Sequence, residues 1–398
     1  NSEGAGNGNL IVEDGSFGGV ISEGALAGNL EKTTAGTLTL SGANTYTGTT
    51  TIAAGTLVTD AADGGGAGAL GNGGNITFTG GTLQYTANSD ASDADYSNRI
   101  KNSTSAINLD TNSLNVTMAG VMDNTNTAGL TKLGAGTLTL SGANAYSGAT
   151  TISVGTLALG APGVIPDGSA TTVAGGATLE MNGNSETIGS LAGAGTGQSS
   201  AGTPTLTTGG DNTDTTFSGA ITDAISVVKE GTGTQILSGT NTYTGTTTVN
   251  VGTLELQNST ALEDNNAVTV TSPGTLTVTG AETIGSLAGT GNVTLTQTLT
   301  TGDNDANTTF SGVATGAGGF TKIGTGEFTL SGANTYTGTT TIQEGILEAD
   351  AADGVNSGAL GDGGTITFTG GTLRYTANSD ESAADYSTRI ENSTTAAI

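Results

Sequence analysis

The sequence predicts an all-β fold, a right-handed parallel β-helix (β-solenoid) built from four motif-bearing units of 93 to 100 residues. Three observations carry that expectation: too little apolar material for a globular core, short strands punctuated by glycine, and one block of sequence that occurs four times. The 398 residues include 80 Thr and 69 Gly, but only 34% are hydrophobic and 4% aromatic, with no Trp. Disorder fits no better. Pro numbers only 4 and charged residues only 11%, whereas disordered chains are rich in both. Thr, Val and Ile favour strands because branching at Cβ suits a pleated surface. Gly suits tight corners. Many short strands around a thin core describe a solenoid.

The block opens Gly36-Thr-Leu-Thr-Leu-Ser-Gly-Ala-Asn-Thr-Tyr-Thr-Gly48 and returns from Gly136, Gly233 and Gly326, at spacings of 100, 97 and 93 residues. With flanking positions the motif lies near residues 32–57, 132–157, 229–254 and 322–347. Its recurring polar residues are Asn44, Asn144, Asn241 and Asn334, then Tyr46, Tyr146, Tyr243 and Tyr336. Lys32, Lys132, Lys229 and Lys322 each stand four residues before the opening Gly. A longer period lies above these. Asp60–Gly64 returns at Asp350–Gly354, Ile76–Leu83 at Ile366–Leu373 and Tyr85–Asp90 at Tyr375–Asp380, all offset by 290. The expectation is a single continuous solenoid over residues 1–398, cut from a longer repetitive protein.

Leu38 and Leu40 alternate with Thr39 and Ser41, the period of a strand with one buried face. Gly42 ends that strand. Asn44 to Gly48 reads as a loop, since Asn and Gly tolerate the left-handed backbone. Thr50–Ile52 begins the next strand and Gly55 the next corner. Leu40 to Leu57 is taken as one coil. Coils of roughly 17 to 22 residues, on the order of twenty in all, would rise about 4.8 Å each. Leu, Ile and Val would point inward and Thr outward. Gln235 stands where the other copies carry an inward Leu or Phe, which predicts a bulge or a hydrogen-bonded amide. The competing architecture is a string of β-sandwiches of about 95 residues, which usually bring a buried aromatic centre. The aromatic content and the absence of linkers favour the solenoid.

The pattern Lys-x-Gly-x-Gly-Thr-Leu-x-Leu-Ser-Gly-x-Asn-x-Tyr-x-Gly-x-Thr-Thr-Ile-x-x-Gly-Thr-Leu resembles the autotransporter-associated β-strand repeat, or passenger-associated transport repeat. Residues 132–157 are its nearest copy here. Phe217-Ser-Gly-Ala-Ile221 and Phe310-Ser-Gly-Val313 are similar to its lead-in. The first copy departs at Thr34, where the others have Gly134, Gly231 and Gly324. The resemblance implies large secreted β-helical passengers of Gram-negative-type bacteria, often adhesins or fibre-like proteins, located outside the cell or on its surface. It implies that the repeats assist folding during export. It implies no catalytic residue.

Chemistry is sparse. The net charge of −27 excludes nucleic acid as a natural partner, because polyphosphate is met by basic surfaces. The lack of His and Cys removes the usual general base, thiolate chemistry and the commonest metal ligands. No apolar run reaches 18 residues, so no helical membrane span is expected. Carboxylate pairs such as Asp60 with Asp63, Asp211 with Asp214 and Asp303 with Asp305 sit in Gly- and Asn-rich corners, where Asp serves turns. Asp90, Asp93 and Asp95 form a dense oxygen-rich loop that suits calcium. Its second copy has Ala383 in place of Asp93, so a solvated acidic loop is the plainer reading, and no cofactor is expected. The repeated tyrosines are expected to pack their rings on the next coil rather than stack on sugars. Threonine runs at 49–51 and 339–341 recur once per unit, too sparsely for a continuous array.

No catalytic, cofactor-binding or metal site is therefore expected. The segment reads as a structural rod, a stalk or extracellular filament, with self-association as its partner chemistry. The alternative is an adhesin surface for glycans or for a host or neighbouring cell.

Overall fold

The computed structural model describes residues 8–23, 27–61, 68–89, 95–351, 358–379 and 386–391. They form short parallel strands stacked as a β-solenoid of about 16 turns, with almost no helix. The chain divides into two compact units, one of residues 1–189 and 195–201, the other of residues 190–194 and 202–398.

In the first unit, Thr37–Leu40 pairs in parallel with Thr56–Thr59, which pairs with Thr82–Tyr85, which pairs with Ile107–Asp110. The inward side chains Leu38, Leu57, Leu83 and Leu109 thus stack in register and are at most 1% exposed. Each such burial contributes about 2 kcal/mol. The partner of Leu57 is Leu38, not Leu40, so this coil has 19 residues. Glycine sets that register: a Cβ on Gly55, whose φ is +65°, would lie 2.2 Å from the Gly36 carbonyl oxygen. The two corners therefore stack backbone on backbone. Ile107–Asp110 then pairs with Leu130–Leu133, so the lead strand of the second motif continues the face that carries Thr37–Leu40 of the first.

In the second unit, Glu282–Ile284, Leu299–Thr301, Phe320–Lys322, Thr340–Ile342 and Ile366–Phe368 form one parallel face. Thr283, Thr300, Thr321, Thr341 and Thr367 occupy matching outward positions in all five strands. This corrects the expectation of scattered threonines. Strands outside the motif supply the missing members of the column.

Coil length varies more than expected, from 17 residues between Thr275 and Asn292 to 26 between Ile346 and Thr372. The long coils, here and between Thr56 and Thr82, contain the segments that recur at 290 residues. They explain why the described residues make about 16 turns rather than on the order of twenty. Gln235 is buried and makes no bulge. Its strand keeps register on both sides, and its Nε2 donates to the carbonyls of Leu191 at 3.1 Å and Thr215 at 3.4 Å.

Candidate functional site

The most regular constellation is the motif itself, and its polar side chains face inward. Asn144 Oδ1 accepts from the Met122 amide at 2.9 Å, and its Nδ2 donates to the Val164 carbonyl at 2.8 Å. Asn241 does the same between Ile221 and Ala261, at 2.7 and 2.8 Å. Asn44 links Ile21 to Ala69, and Asn334 links Ala314 to Ala359. Each amide thus ties the coil before it to the coil after it. None of these asparagines adopts a positive φ, which corrects their reading as left-handed loop residues. The position needs a side chain that donates and accepts at once, and Asn does both. Gly48 is likewise not left-handed. It is glycine because a Cβ would lie 2.3 Å from the Gly28 carbonyl oxygen.

The tyrosines follow the same logic. Tyr46, Tyr146, Tyr243 and Tyr336 are at most 1% exposed. Their hydroxyls lie 2.6 to 2.7 Å from those of Thr50, Thr150, Thr247 and Thr340. A buried phenol needs such a partner. Burial pushes the Tyr336 hydroxyl up to about 12 and raises Tyr146 and Tyr243 further in the same direction. A ring enclosed in this way offers no face to a sugar.

The lysines form a structural set whose chemistry was not legible in the sequence. Lys132 Nζ donates to the carbonyls of Leu133 at 2.9 Å, Gly134 at 2.7 Å and Val154 at 3.1 Å. Lys229 and Lys322 repeat the arrangement on Gly231 and Val251, and on Gly324 and Glu344. All four motif lysines are at most 1% exposed. Burial pushes the Lys132 ammonium down to about 8, with Asp110 opposing, and also lowers Lys229 and Lys322. The first copy differs. Gly134, Gly231 and Gly324 have positive φ, whereas Thr34 does not; Lys32 Nζ still donates to the carbonyl at this position, that of Thr34, and also reaches Thr34 Oγ1 at 2.9 Å and Asp14 at 3.0 Å.

Two further sets escaped the sequence reading. Glu186 Oε2 accepts from the Val164 amide at 3.0 Å, and Glu282 accepts from Leu262 at 2.9 Å and Ala261 at 3.3 Å. The polar column therefore runs from Asn144 through Val164 to Glu186, and from Asn241 through Ala261 to Glu282. A signal was present: Glu-Thr-Ile-Gly-Ser-Leu-Ala-Gly occurs at 186–193 and again at 282–289. Arg99 and Arg389 cap carbonyls in the long coils, of Leu70, Gly71 and Gly74 and of Leu360, Gly361 and Gly364 respectively.

Of the calcium candidates, Asp90 and Asp93 lie outside the described residues. Asp95 accepts from the amides of Ser97 at 3.0 Å, Ala119 at 2.9 Å and Gly120 at 3.3 Å, so both of its oxygens bind backbone. Among the described residues no three Asp, Glu, His or Cys side chains gather as a metal site. Of the carboxylate pairs, Asp63 lies outside the described residues. Asp60 accepts from Thr86 and Asn88, Asp211 from Thr213 and Ser190, Asp214 from Thr234 and Asp305 from Thr325. These are turn and coil-to-coil bonds. No helix among the described residues is long and apolar enough to cross a membrane.

The passenger-associated-transport-repeat family model matches residues 30–58, 130–159, 227–256 and 320–349. The chain is also similar to a protein described as the adhesin BmaC autotransporter of Brucella suis biovar 1 (strain 1330). The two are 34% identical over 368 residues, which cover 87% of this chain and 11% of that protein. The chain thus spans about a ninth of the length of that relative. No solved structure matches it. The repeats and the relative together mark part of a secreted passenger, located outside the cell or on its surface in a Gram-negative bacterium. Family-model matches at all four copies of the motif, on a parallel β-solenoid, identify four passenger-associated transport repeats in this chain.

Proposed function

We propose that this segment is a non-catalytic structural section of its parent passenger, a stalk whose work is to hold coils together. The observation that carries this reading is the direction of the repeated polar side chains. Asn, Tyr and Lys of every copy are buried, where Asn and Lys satisfy backbone groups and each Tyr hydroxyl meets a threonine hydroxyl. A side chain so engaged presents no chemistry to a substrate. Exposed positions are left mainly to Thr, Ser, Asn and Asp, which keep the surface hydrated. Self-association through such a surface belongs to the same reading, as filament packing.

The second reading is an adhesin surface within this segment, and the description of the relative as an adhesin favours it. The two are separated by presenting the purified 398-residue segment to a glycan array and to host or neighbouring cells. The stalk reading expects no reproducible ligand. Reproducible, saturable binding to one glycan or cell type would replace it with the adhesin reading.

A further inference from the structure

Glu186 and Glu282 are buried carboxyls that the stalk reading does not require to be acidic. Each is 2% exposed. Glu186 Oε2 meets the Val164 amide at 3.0 Å, while its Oε1 is buried without a hydrogen-bond partner. Glu282 meets the Leu262 and Ala261 amides. The groups that face them are acidic or phenolic: Asp167 and Tyr146 for Glu186, Asp264 and Tyr243 for Glu282. The ion pairs among the described residues are Lys32 with Asp14, Lys101 with Asp123, and Arg374 with Glu327 and Glu348, so neither glutamate takes part in one.

We propose that Glu186 and Glu282 form two acid-set clasps, in which mild acidification neutralises each carboxyl in place and tightens the corner it holds. Taking a carboxylate out of water disfavours its charge, and a like charge nearby adds to the effect. A proton on Glu186 removes the buried charge that its unpartnered oxygen would otherwise carry. Burial, reinforced by Asp167 and Asp264, pushes both carboxyls up from 4.5 to about 7, against the pull of the backbone amides. A folded-state value above the unfolded one means that the stabilisation is complete below about 4.5 and lost as pH rises through about 7. The corners concerned are those that Asn144 and Asn241 hold through Val164 and Ala261. The clasps therefore act on the columns that tie the coils.

The test has two readouts on the whole 398-residue chain. Carbon-detected NMR follows the carboxyl carbons of Glu186 and Glu282 from pH 4 to 8 in the unmodified protein. Hydrogen exchange, corrected for intrinsic rates, follows the Val164 and Leu262 amides over the same range, in the unmodified protein and in E186Q/E282Q. The proposal expects both carboxyls to titrate near pH 7. It expects protection of those amides to rise by up to about tenfold per pH unit on acidification through the window, the slope of one linked proton. That slope should vanish in E186Q/E282Q. Carboxyls titrating near 4.5, or an unchanged slope in the double variant, would overturn it. The carboxyl titration needs no substitution, so it decides the matter even if the variants fail to fold.

Discussion

Asn241 Nδ2 donates to the Ala261 carbonyl at 2.8 Å across a coil boundary, 20 residues along the chain. Its Oδ1 meanwhile accepts from Ile221 at 2.7 Å, 20 residues the other way. One side chain thus bridges three coils, and the four motif asparagines repeat the device. In a fold whose described strands are two to four residues long, such ties set the corner-to-corner register that strand pairing alone leaves loose.

Asn241→Ala should therefore cost about 3 kcal/mol, because it leaves the Ile221 amide and the Ala261 carbonyl buried without partners. Urea unfolding followed by circular dichroism checks this. Asn241→Asp retains the acceptor but sets an ionised oxygen against the Ala261 carbonyl. Its deficit should shrink at low pH, where a protonated carboxyl donates again. An equal deficit at all pH values would mean that the amide has no bridging role.

Tyr243→Phe should be mild, at about 1 kcal/mol. Thr247 keeps a second partner, Asn266 Oδ1 at 2.7 Å, so only one bond is lost and the ring still fills its place. A loss of cell or glycan binding with unchanged stability would show instead that the phenol is presented outward.

Lys132→Met removes the buried donor shared by three part-buried carbonyls and should cost about 2 kcal/mol near neutral pH. The pH dependence gives a sharper test. The folded value of about 8 lies below the ordinary 10.5, so between these values the unfolded chain binds a proton that the folded chain has released. Stability should then rise with pH from about 8 towards 9.5, before the tyrosines begin to oppose it. Lys132→Met should remove Lys132's share of that rise. Parallel profiles for the two proteins would mean that Lys132 keeps its charge throughout.

Gly239→Ala would place a Cβ 1.9 Å from the Gly219 carbonyl oxygen. The obstacle is backbone and cannot swing aside, so a loss of about 3 kcal/mol or more is expected. Gly168→Ala is the control. Nothing lies within 4 Å of its added Cβ and its φ is not positive, so the change should be neutral or slightly stabilising, through a less flexible unfolded chain.

What could be read beforehand was whatever local periodicity encodes. Leu38 and Leu40 alternate with threonine, and both prove buried. Gln235 breaks the pattern and proves to be a hydrogen-bonded amide. What could not be read depends on stacking. The corner at Gly55 lies against the one at Gly36, and that contact pairs Leu57 with Leu38 instead of Leu40. The lysines announced themselves as regular, but one of the carbonyls around Lys132, that of Val154, lies 22 residues further on and is near only once the coil has closed. Asn44 looked like a turn former because its partners, Ile21 and Ala69, are remote in sequence. Glu186 and Glu282 lay in a repeated octapeptide outside the motif, and their burial follows from the coils around them.

The most direct test of the central claim, that this segment supports and does not bind, is an in-frame deletion of residues 32–321 from the parent passenger. The deletion removes one 290-residue period and places Lys322 after Glu31, in the position of Lys32. Cells displaying the two proteins at matched surface density are compared for adhesion to a ligand panel. The account predicts a shortened passenger that reaches the surface and keeps the ligand set of the parent. Loss of one particular ligand from a passenger still displayed, together with binding of that ligand by the isolated segment, would contradict it.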